Sequence, residues 1–195
     1  MKKGRLEAFS DGVFAIIITV MVLELKVPHG DTWAAVLPLA DRFLSYVLSF
    51  LYVAIYWNNH HHLFQLVQNV NGRVLWANIH LLFWLSLVPF VTAWSGENHF
   101  ATLPVALYGF VLLMAAIAYY IMTLTLLSLH GENSTLAKAI GTEFKGKISA
   151  VLYAVAIAAA LWTPYVSLSI YVIVAIMWLA PDPRVENVLR ERSEN

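Results

Sequence analysis

The sequence predicts an all-α integral membrane protein, a bundle of six transmembrane helices. Of its 195 residues, 60% are apolar and only 12% are charged, whereas soluble domains are nearer half apolar and a quarter charged. Six apolar stretches recur along the chain, and a helix needs about 20 such residues to cross the hydrocarbon core. Lys and Arg also gather in alternate connections between these stretches, as expected of a multi-pass protein.

The six apolar segments are, in order, residues 6–27, 33–66, 74–94, 100–129, 148–163 and 165–179. The second is longer than a bilayer requires, so we expect its C-terminal end to project from the membrane. Pro89 lies inside the third and is expected to kink it. The last two are short and are separated only at Thr163 and Pro164. We interpret them as two crossings, because together they are too long for one straight span.

The distribution of basic residues predicts the orientation. With the N-terminus inside, the inner side collects ten Lys and Arg residues and the outer side only Lys26 and Arg42. Because cytoplasmic connections are enriched in Lys and Arg, both termini are predicted to be cytoplasmic, in a multi-pass protein of the cell membrane. Residues 1–183 then form one six-helix domain in the lipid bilayer, and residues 184–195 form a charged cytoplasmic tail.

Composition also excludes several kinds of function. The formal net charge is zero, which argues against a nucleic-acid partner, since such proteins carry a basic surface. The absence of cysteine excludes disulfides, thiolate metal sites and a cysteine nucleophile. Neither a G-x-S-x-G motif nor a Gly-rich phosphate loop occurs. We therefore predict a protein that is not an enzyme and has no cofactor.

The first apolar segment is the leading candidate for function because it carries Arg5, Ser10 and Asp11. An ionisable group inside a membrane helix is energetically costly and should face protein or water. Asp11 lies six residues beyond Arg5, about 9 Å deeper along a helix. Asn78 and His80 reach a similar depth on the third segment, as does the polar run 58–62 on the second. We predict a hydrogen-bonded network around Ser10 and Asp11 with Asn78, His80 and part of that run.

The same residues leave two other functions open. Asp11 and His80 could act as a proton relay in a small proton-coupled secondary transporter. The run His60, His61 and His62 could instead serve a membrane enzyme. Consecutive helical residues point about 100° apart, so these three imidazoles are not expected to converge on one metal ion. No metal site is predicted.

Arg5, Phe9, Ser10 and Asp11 fit the pattern R-x-x-x-F-S-D on a first membrane helix. The sequence resembles the transmembrane protein 175 family in this motif, in the position of the motif, in chain length and in helix count. That family comprises endosomal and lysosomal potassium channels and their short bacterial homologues. The resemblance extends over essentially the whole chain.

The resemblance implies a moderately potassium-selective cation channel, a homotetramer whose pore is lined by the first helix. In the family, apolar residues seven and fourteen positions after the motif Phe form constrictions with a Thr layer between them. Here these positions are Ile16, Leu23 and Thr19, whose spacing places them on one helical face. Arg5, Ser10 and Asp11 would brace the inner end of the helix. The sequence has no T-V-G-Y-G filter, so selectivity would come from this narrow path.

Overall fold

The computed structural model describes residues 2–131, 134–140 and 144–179, and over these residues the chain is helical apart from its connections. The prediction of an all-α protein is confirmed there. The predicted tail, residues 184–195, lies outside the described residues. In chain order the α-helices are α1 Gly4–Leu23, α2 Trp33–Val36, α3 Ala40–Gln65, α4 Gly72–Ser86, α5 Val88–Glu97, α6 Thr102–His130, α7 Thr135–Ile140, α8 Phe144–Ala160 and α9 Pro164–Leu179.

Proline residues explain where two of the predicted segments are divided. The third segment consists of α4 and α5, which are separated at Leu87, two residues before Pro89. Proline has no N–H to donate and its ring clashes with the preceding turn of a helix, so an interruption just before it follows from the sequence. The second segment begins with the short helix α2 and a 3₁₀ turn over Leu37–Leu39, which contains Pro38. Only then does the long helix α3 start.

The helix α7 was not expected. It lies in the connection between α6 and α8, between the fourth and fifth predicted apolar segments. Leu136 and Ala139 on this helix are buried, so it packs its apolar side against the bundle. A stretch of six residues is too short for its apolar pattern to be distinguished from a loop.

Two groups of contacts define opposite ends of the bundle. At one end, Lys2 pairs with Asn69 in an isolated backbone bridge, and the Lys3 ammonium donates to the carbonyl of Phe64. At the other end, Glu97 forms ion pairs with Lys26 and Arg42. The start of α1 therefore lies beside the α3–α4 connection, and the end of α1 lies beside the start of α3 and the end of α5. These helices run alternately up and down.

Four helical stretches of the described chain are long and apolar enough to cross a membrane: Gly4–Leu23, Trp33–Gln65, Gly72–Glu97 and Thr102–His130. Pro164–Leu179 is a shorter apolar helix. By its apolar helices, the chain is a multi-pass membrane protein.

Two glycines allow helices to approach closely. A Cβ atom at Gly96 would lie 2.7 Å from the Cα of Arg42, so α5 meets the backbone of α3 there. A Cβ at Gly109 would lie 2.0 Å from the hydroxyl oxygen of Tyr171, which donates to the carbonyl of Val105 on α6. Small residues at such contacts permit the close packing on which helix association in membranes depends.

Candidate functional site

Helix α1 has one face packed against the protein and the opposite face exposed. The buried positions recur every three or four residues and are Leu6, Ser10, Phe14, Ile17 and Met21. They pack toward α3, α4 and α5. Because a helix turns by about 100° per residue, the positions half a turn away form a second face that points out of the protomer.

The predicted pore residues lie on this exposed face. Ile16 is 63% exposed and Leu23 75% exposed, and Thr19 is exposed between them. Ile17, one residue further along, is only 3% exposed, and Ile18 packs partly against the core. Ile16, Thr19 and Leu23 thus share one face of α1, and this face is not covered by other helices of the single protomer.

The hydroxyl of Thr19 is oriented by its own helix. It donates to the carbonyl oxygen of Ala15 at 2.8 Å, a bond that Thr commonly forms inside helices. Because its one hydrogen is used in this way, the oxygen keeps its lone pairs as acceptors. This arrangement offers an oxygen ligand to a cation beside the helix.

A buried hydrogen-bonded cluster joins α1, α3 and α4. The side-chain amide of Asn78 donates to Ser10 Oγ at 3.0 Å, and Ser10 Oγ donates to the carbonyl of Leu6 at 2.9 Å. The Nε2 atom of His60 lies 2.8 Å from the side-chain oxygen of Asn78. All three side chains are buried. Every polar group is costly to bury unpaired, so the cluster fixes the relative position of three helices.

His60 faces the side-chain oxygen of Asn78. With the amide of Asn78 donating to Ser10, this oxygen accepts from Nε2 of His60. The imidazole ring also packs against Phe64 at 4.5 Å and Phe14 at 5.7 Å between ring centroids. Apolar surroundings on both sides favour a neutral ring whose role is to tie helices together.

Asp11 lies outside this cluster. Its Oδ1 atom accepts a hydrogen bond from the indole Nε1 of Trp57 on α3, at 2.9 Å, near the protomer surface. The ring of Trp57 stacks on His61 at a centroid distance of 5.8 Å. Trp57 is not among the residues that the sequence predicts for the network. Its indole N–H, a donor without acceptor capacity, was the signal that could have identified it as a partner for a carboxylate.

His80 also lies apart from Ser10. Its Nε2 atom accepts from the indole of Trp84, one turn further along α4. The sequence prediction grouped Ser10, Asp11, Asn78, His80 and part of the run 58–62 in one network. The structure brings Ser10 and Asn78 together with His60 of that run and leaves Asp11 and His80 outside the cluster. Asn78 and His80 are two positions apart, which turns their side chains about 200° from each other on a helix. Equal depth in the membrane therefore did not imply a shared face.

Arg5 and Phe9, the other motif residues, are both exposed on α1. The three consecutive histidines diverge: His60 is buried, His61 is exposed and His62 is partly buried. Within the described part of the chain, no group of three His, Cys, Asp or Glu residues is arranged to hold a metal ion.

Comparisons with known proteins identify the family. The sequence model described as "Endosomal/lysosomal potassium channel TMEM175" matches residues 5–89, which include α1, α3, α4 and the R-x-x-x-F-S-D residues. A relative from Chryseobacterium sp. (strain P1-3), named a potassium channel, is 58% identical over 191 residues, which cover 98% of this chain and 100% of the relative. The chain belongs to the TMEM175 family.

Other members of the family agree in sequence and in fold. A potassium channel of Streptomyces collinus is 36% identical to this TMEM175 chain over 126 residues, covering 60% of this chain and 61% of the relative. The crystal structure of a lysosomal potassium-selective TMEM175 homologue from Chamaesiphon minutus superposes with a TM-score of 0.80 at 30% identity, over 91% of this chain and 96% of that one. TMEM175 is a family of ion channels, not a class of enzymes.

Proposed function

We propose that this TMEM175 chain conducts potassium ions across the cell membrane through a pore lined by α1. The observation that carries the proposal is the division of α1 into a packed face and an uncovered face that bears Ile16, Thr19 and Leu23. One helix cannot enclose a path by itself. Several copies of α1 around a common axis can enclose a path, with Ile16, Thr19 and Leu23 of each copy facing the same residues of the other copies.

Four copies related by cyclic symmetry are the assembly we propose. Closed cyclic symmetry is the common solution for soluble homo-oligomers, because every copy then makes the same contacts. Each copy would contribute its uncovered α1 face to the axis. The rings of Ile16, Thr19 and Leu23 would then be spaced by about 4.5 Å and 6 Å along the axis, given a rise of 1.5 Å per residue.

Ile16 and Leu23 are proposed to form hydrophobic constrictions. A narrow apolar ring expels water and opposes the passage of a hydrated ion. Thr19 lies between them and offers its hydroxyl oxygen to a partly dehydrated cation. Moderate preference for potassium would arise from the width of this path and its ring of oxygen atoms. This mechanism requires no carbonyl-lined filter.

The Ser10–Asn78–His60 cluster and the Asp11–Trp57 hydrogen bond are proposed to brace the inner half of α1. Both attach α1 to helices behind it, and neither lies on the face of Ile16. The hydrogen bonds of Asp11 and His80 go to two different tryptophans, so no observation favours the proton-relay transporter over the channel. Asp11 therefore acts in the proposed mechanism as a positioning residue.

Six crossings are proposed: α1, α3, the pair α4–α5, α6, α8 and α9. The helices α8 and α9 contain 17 and 16 residues, roughly 25 Å each at 1.5 Å per residue, against a hydrocarbon core about 30 Å thick. Flanking residues would complete these two spans. Both termini would be cytoplasmic, with residues 1–183 as the membrane domain and 184–195 as the tail. Single cysteines introduced after Lys3 and after Arg192 should both be labelled from the cytoplasmic side.

Potassium flux in liposomes tests the proposed channel. The purified protein should carry potassium down its gradient without a coupling ion and without saturating at low concentration. Ile16→Asn and Leu23→Asn should each raise the flux severalfold, because a polar ring keeps the constriction hydrated. Phe83→Asn provides a matched control, since Phe83 is exposed on α4. Flux that depends on a second ion, or that ignores both α1 substitutions, would contradict the proposal.

A further inference from the structure

A groove runs along the surface of the protomer between α4 and α6. Its wall includes Arg73, Trp76, Ala77 and His80 on α4, and Ile121 and Thr125 on α6. Arg73 and His80 are seven residues apart, about 10 Å along α4 at 1.5 Å per residue. The groove holds about 720 Å³ of space open to water-sized groups, within the range of about 300–1,000 Å³ typical of small-molecule sites. Its size therefore suits a ligand larger than an ion or a water molecule.

The groove is open on the side where lipid would lie. Trp76 is 73% exposed and Ile121 is 40% exposed. Both belong to helical stretches long and apolar enough to cross a membrane, Gly72–Glu97 and Thr102–His130. One turn beyond His80, the ring of Trp84 contacts that of Phe110 on α6 at a centroid distance of 5.7 Å. The two helices are thus joined by aromatic rings beyond the groove and leave it open nearer the start of α4.

The groove also faces away from α1. On α4, Asn78 is the residue that bonds to Ser10 of α1. Trp76 and His80 each lie two positions from Asn78, which places them about 200° around the helix from that contact. If α1 lines the central axis, as the proposed function requires, the groove lies on the far side of α4. Lipid, and not the next copy of the chain, is then its neighbour.

Arg73 supplies positive charge at one end of the groove. It is the only charged residue among the described residues that line the groove, and it is exposed. None of the ion pairs within the described part of the chain involves it. Arg73 is the second residue of the stretch Gly72–Glu97, so it lies where the hydrocarbon core gives way to headgroups. A guanidinium group at that level matches the geometry of a phosphate.

We propose that this groove binds one anionic phospholipid of the adjoining leaflet, with its phosphate at Arg73 and an acyl chain against Trp76 and Ile121. Basic pockets between membrane helices are typical sites for anionic headgroups. An isolated positive charge without a carboxylate nearby favours a lipid of net negative charge over a zwitterionic one. The inference concerns lipid recognition and goes beyond ion conduction. It rests on the proposed channel only for the direction in which the groove faces.

Quenching of Trp76 by brominated phospholipid tests the site in the full chain. Phosphatidylcholine liposomes that contain the protein receive increasing fractions of brominated phosphatidylglycerol or, separately, of brominated phosphatidylcholine with the same acyl chains. The signal of Trp76 is the difference between the natural chain and Trp76→Phe. We expect half-maximal quenching at an about two- to fivefold lower fraction of the anionic lipid, as for one solvent-accessible ion pair.

Two results of this titration would overturn the proposal. Equal half-maximal fractions for the two lipids would show that the groove only contacts bulk lipid. Absence of quenching by either lipid would show that another copy of the chain covers Trp76.

The headgroup contact has its own variants. Arg73→Gln should remove the preference for the anionic lipid, and Arg73→Lys should preserve it, because the ammonium keeps the charge. Lys147→Gln is the matched control, since Lys147 is also exposed but lies on α8. A preference that survives in Arg73→Gln and is lost in Lys147→Gln would assign the headgroup to another site and would refute the proposal.

Filling the groove should weaken binding. Thr125→Phe is expected to raise the half-maximal fraction of the anionic lipid about fourfold, which corresponds to about one methylene group denied burial. Leu124→Phe is the matched control, because Leu124 is exposed on α6 and is not among the described residues that line the groove. Each variant is checked by its elution as a single species of unchanged size. An equal response of the two variants would show that the acyl chain lies outside the groove.

Potassium flux in the same liposomes reports on the proposed channel separately. Intact flux that responds to Ile16→Asn, together with no preference at Trp76, would refute the lipid site alone. A lipid preference that depends on Arg73, together with flux that ignores the α1 substitutions, would refute the proposed pore and leave the lipid site standing.

Discussion

Asn78 donates its side-chain amide to Ser10 Oγ at 3.0 Å and holds His60 Nε2 at 2.8 Å from the oxygen of the same amide. One buried residue of α4 thereby connects α1 with α3. If α1 lines the pore, as we propose, this contact lies directly behind the pore wall. Weakening this contact should therefore lower the stability of the protein before it changes ion conduction.

Asn78→Ala should destabilise the protein. It leaves His60 without its buried partner, at a cost of about 1–3 kcal/mol for an unsatisfied group, and it removes one of the hydrogen bonds of Ser10, which keeps its bond to Leu6. The loss should appear as a lower thermal unfolding temperature of the detergent-solubilised protein and a smaller oligomeric fraction. Asn58→Ala is the matched control, because Asn58 is exposed on α3. Equal stability of the two variants would contradict the bridging role of Asn78.

The residues of this cluster show which contacts can be predicted from the sequence and which cannot. Counting residues along each helix predicted that Ser10 and Asn78 lie at one level, because the rise per residue is constant, and the two side chains are hydrogen-bonded to each other. It could not choose between His60 and His80, since that choice depends on which way each helix is rotated about its axis. Rotation is set by packing between distant segments, and the buried positions of α4 and α3 become visible only in the folded structure.

Trp57 and Asp11 should be coupled energetically. Asp11→Ala and Trp57→Phe each remove the same hydrogen bond, so a double-mutant cycle isolates it. We expect a coupling free energy of about 1.5–3 kcal/mol, the range for a hydrogen bond to a charged group. The cycle is measured by thermal unfolding of the four proteins. Additive effects would mean that the bond does not form, and a well-assembled Asp11→Ala channel with altered ion preference would place Asp11 in the ion path.

Gly96→Ala should destabilise the packing of α5 on α3. The added Cβ would lie 2.7 Å from the Cα of Arg42, a backbone atom that cannot move aside. Overpacking of this kind costs about 1–3 kcal/mol. Gly72→Ala serves as the control, because a Cβ at Gly72 meets nothing within 4 Å. Unfolding midpoints in denaturant should separate the two variants, and identical midpoints would show that the close approach is absent.

The close approach at Gly96 and the helix α7 were both beyond prediction from the sequence. The sequence pattern around a glycine near the end of an apolar segment is the same whether the glycine contacts another backbone or solvent. The break at Leu87 was predictable, because the chemistry of Pro89 is local and needs no partner. Local rules thus located the long apolar helices and the interruption before Pro89, whereas contacts between segments determined which side chains meet.

Thr19→Val should reduce the preference for potassium over sodium. The substitution removes the hydroxyl that donates to Ala15 and that we propose as an oxygen ligand for the ion, with little change in shape. Thr19→Ser retains the hydroxyl and should preserve the preference. Reversal potentials recorded with potassium and sodium on opposite sides of a bilayer provide the measurement. Loss of selectivity in both variants would assign the effect to packing and not to the hydroxyl oxygen.

Cysteine accessibility along α1 tests the proposed pore face most directly, because the natural chain contains no cysteine. Single variants Ile16→Cys, Thr19→Cys and Leu23→Cys should lose potassium flux when silver ions are added. Ile17→Cys should keep its flux, since Ile17 is buried against the protein. If silver blocks Ile17→Cys and spares the other three variants, α1 does not line the ion path with the face of Ile16, Thr19 and Leu23.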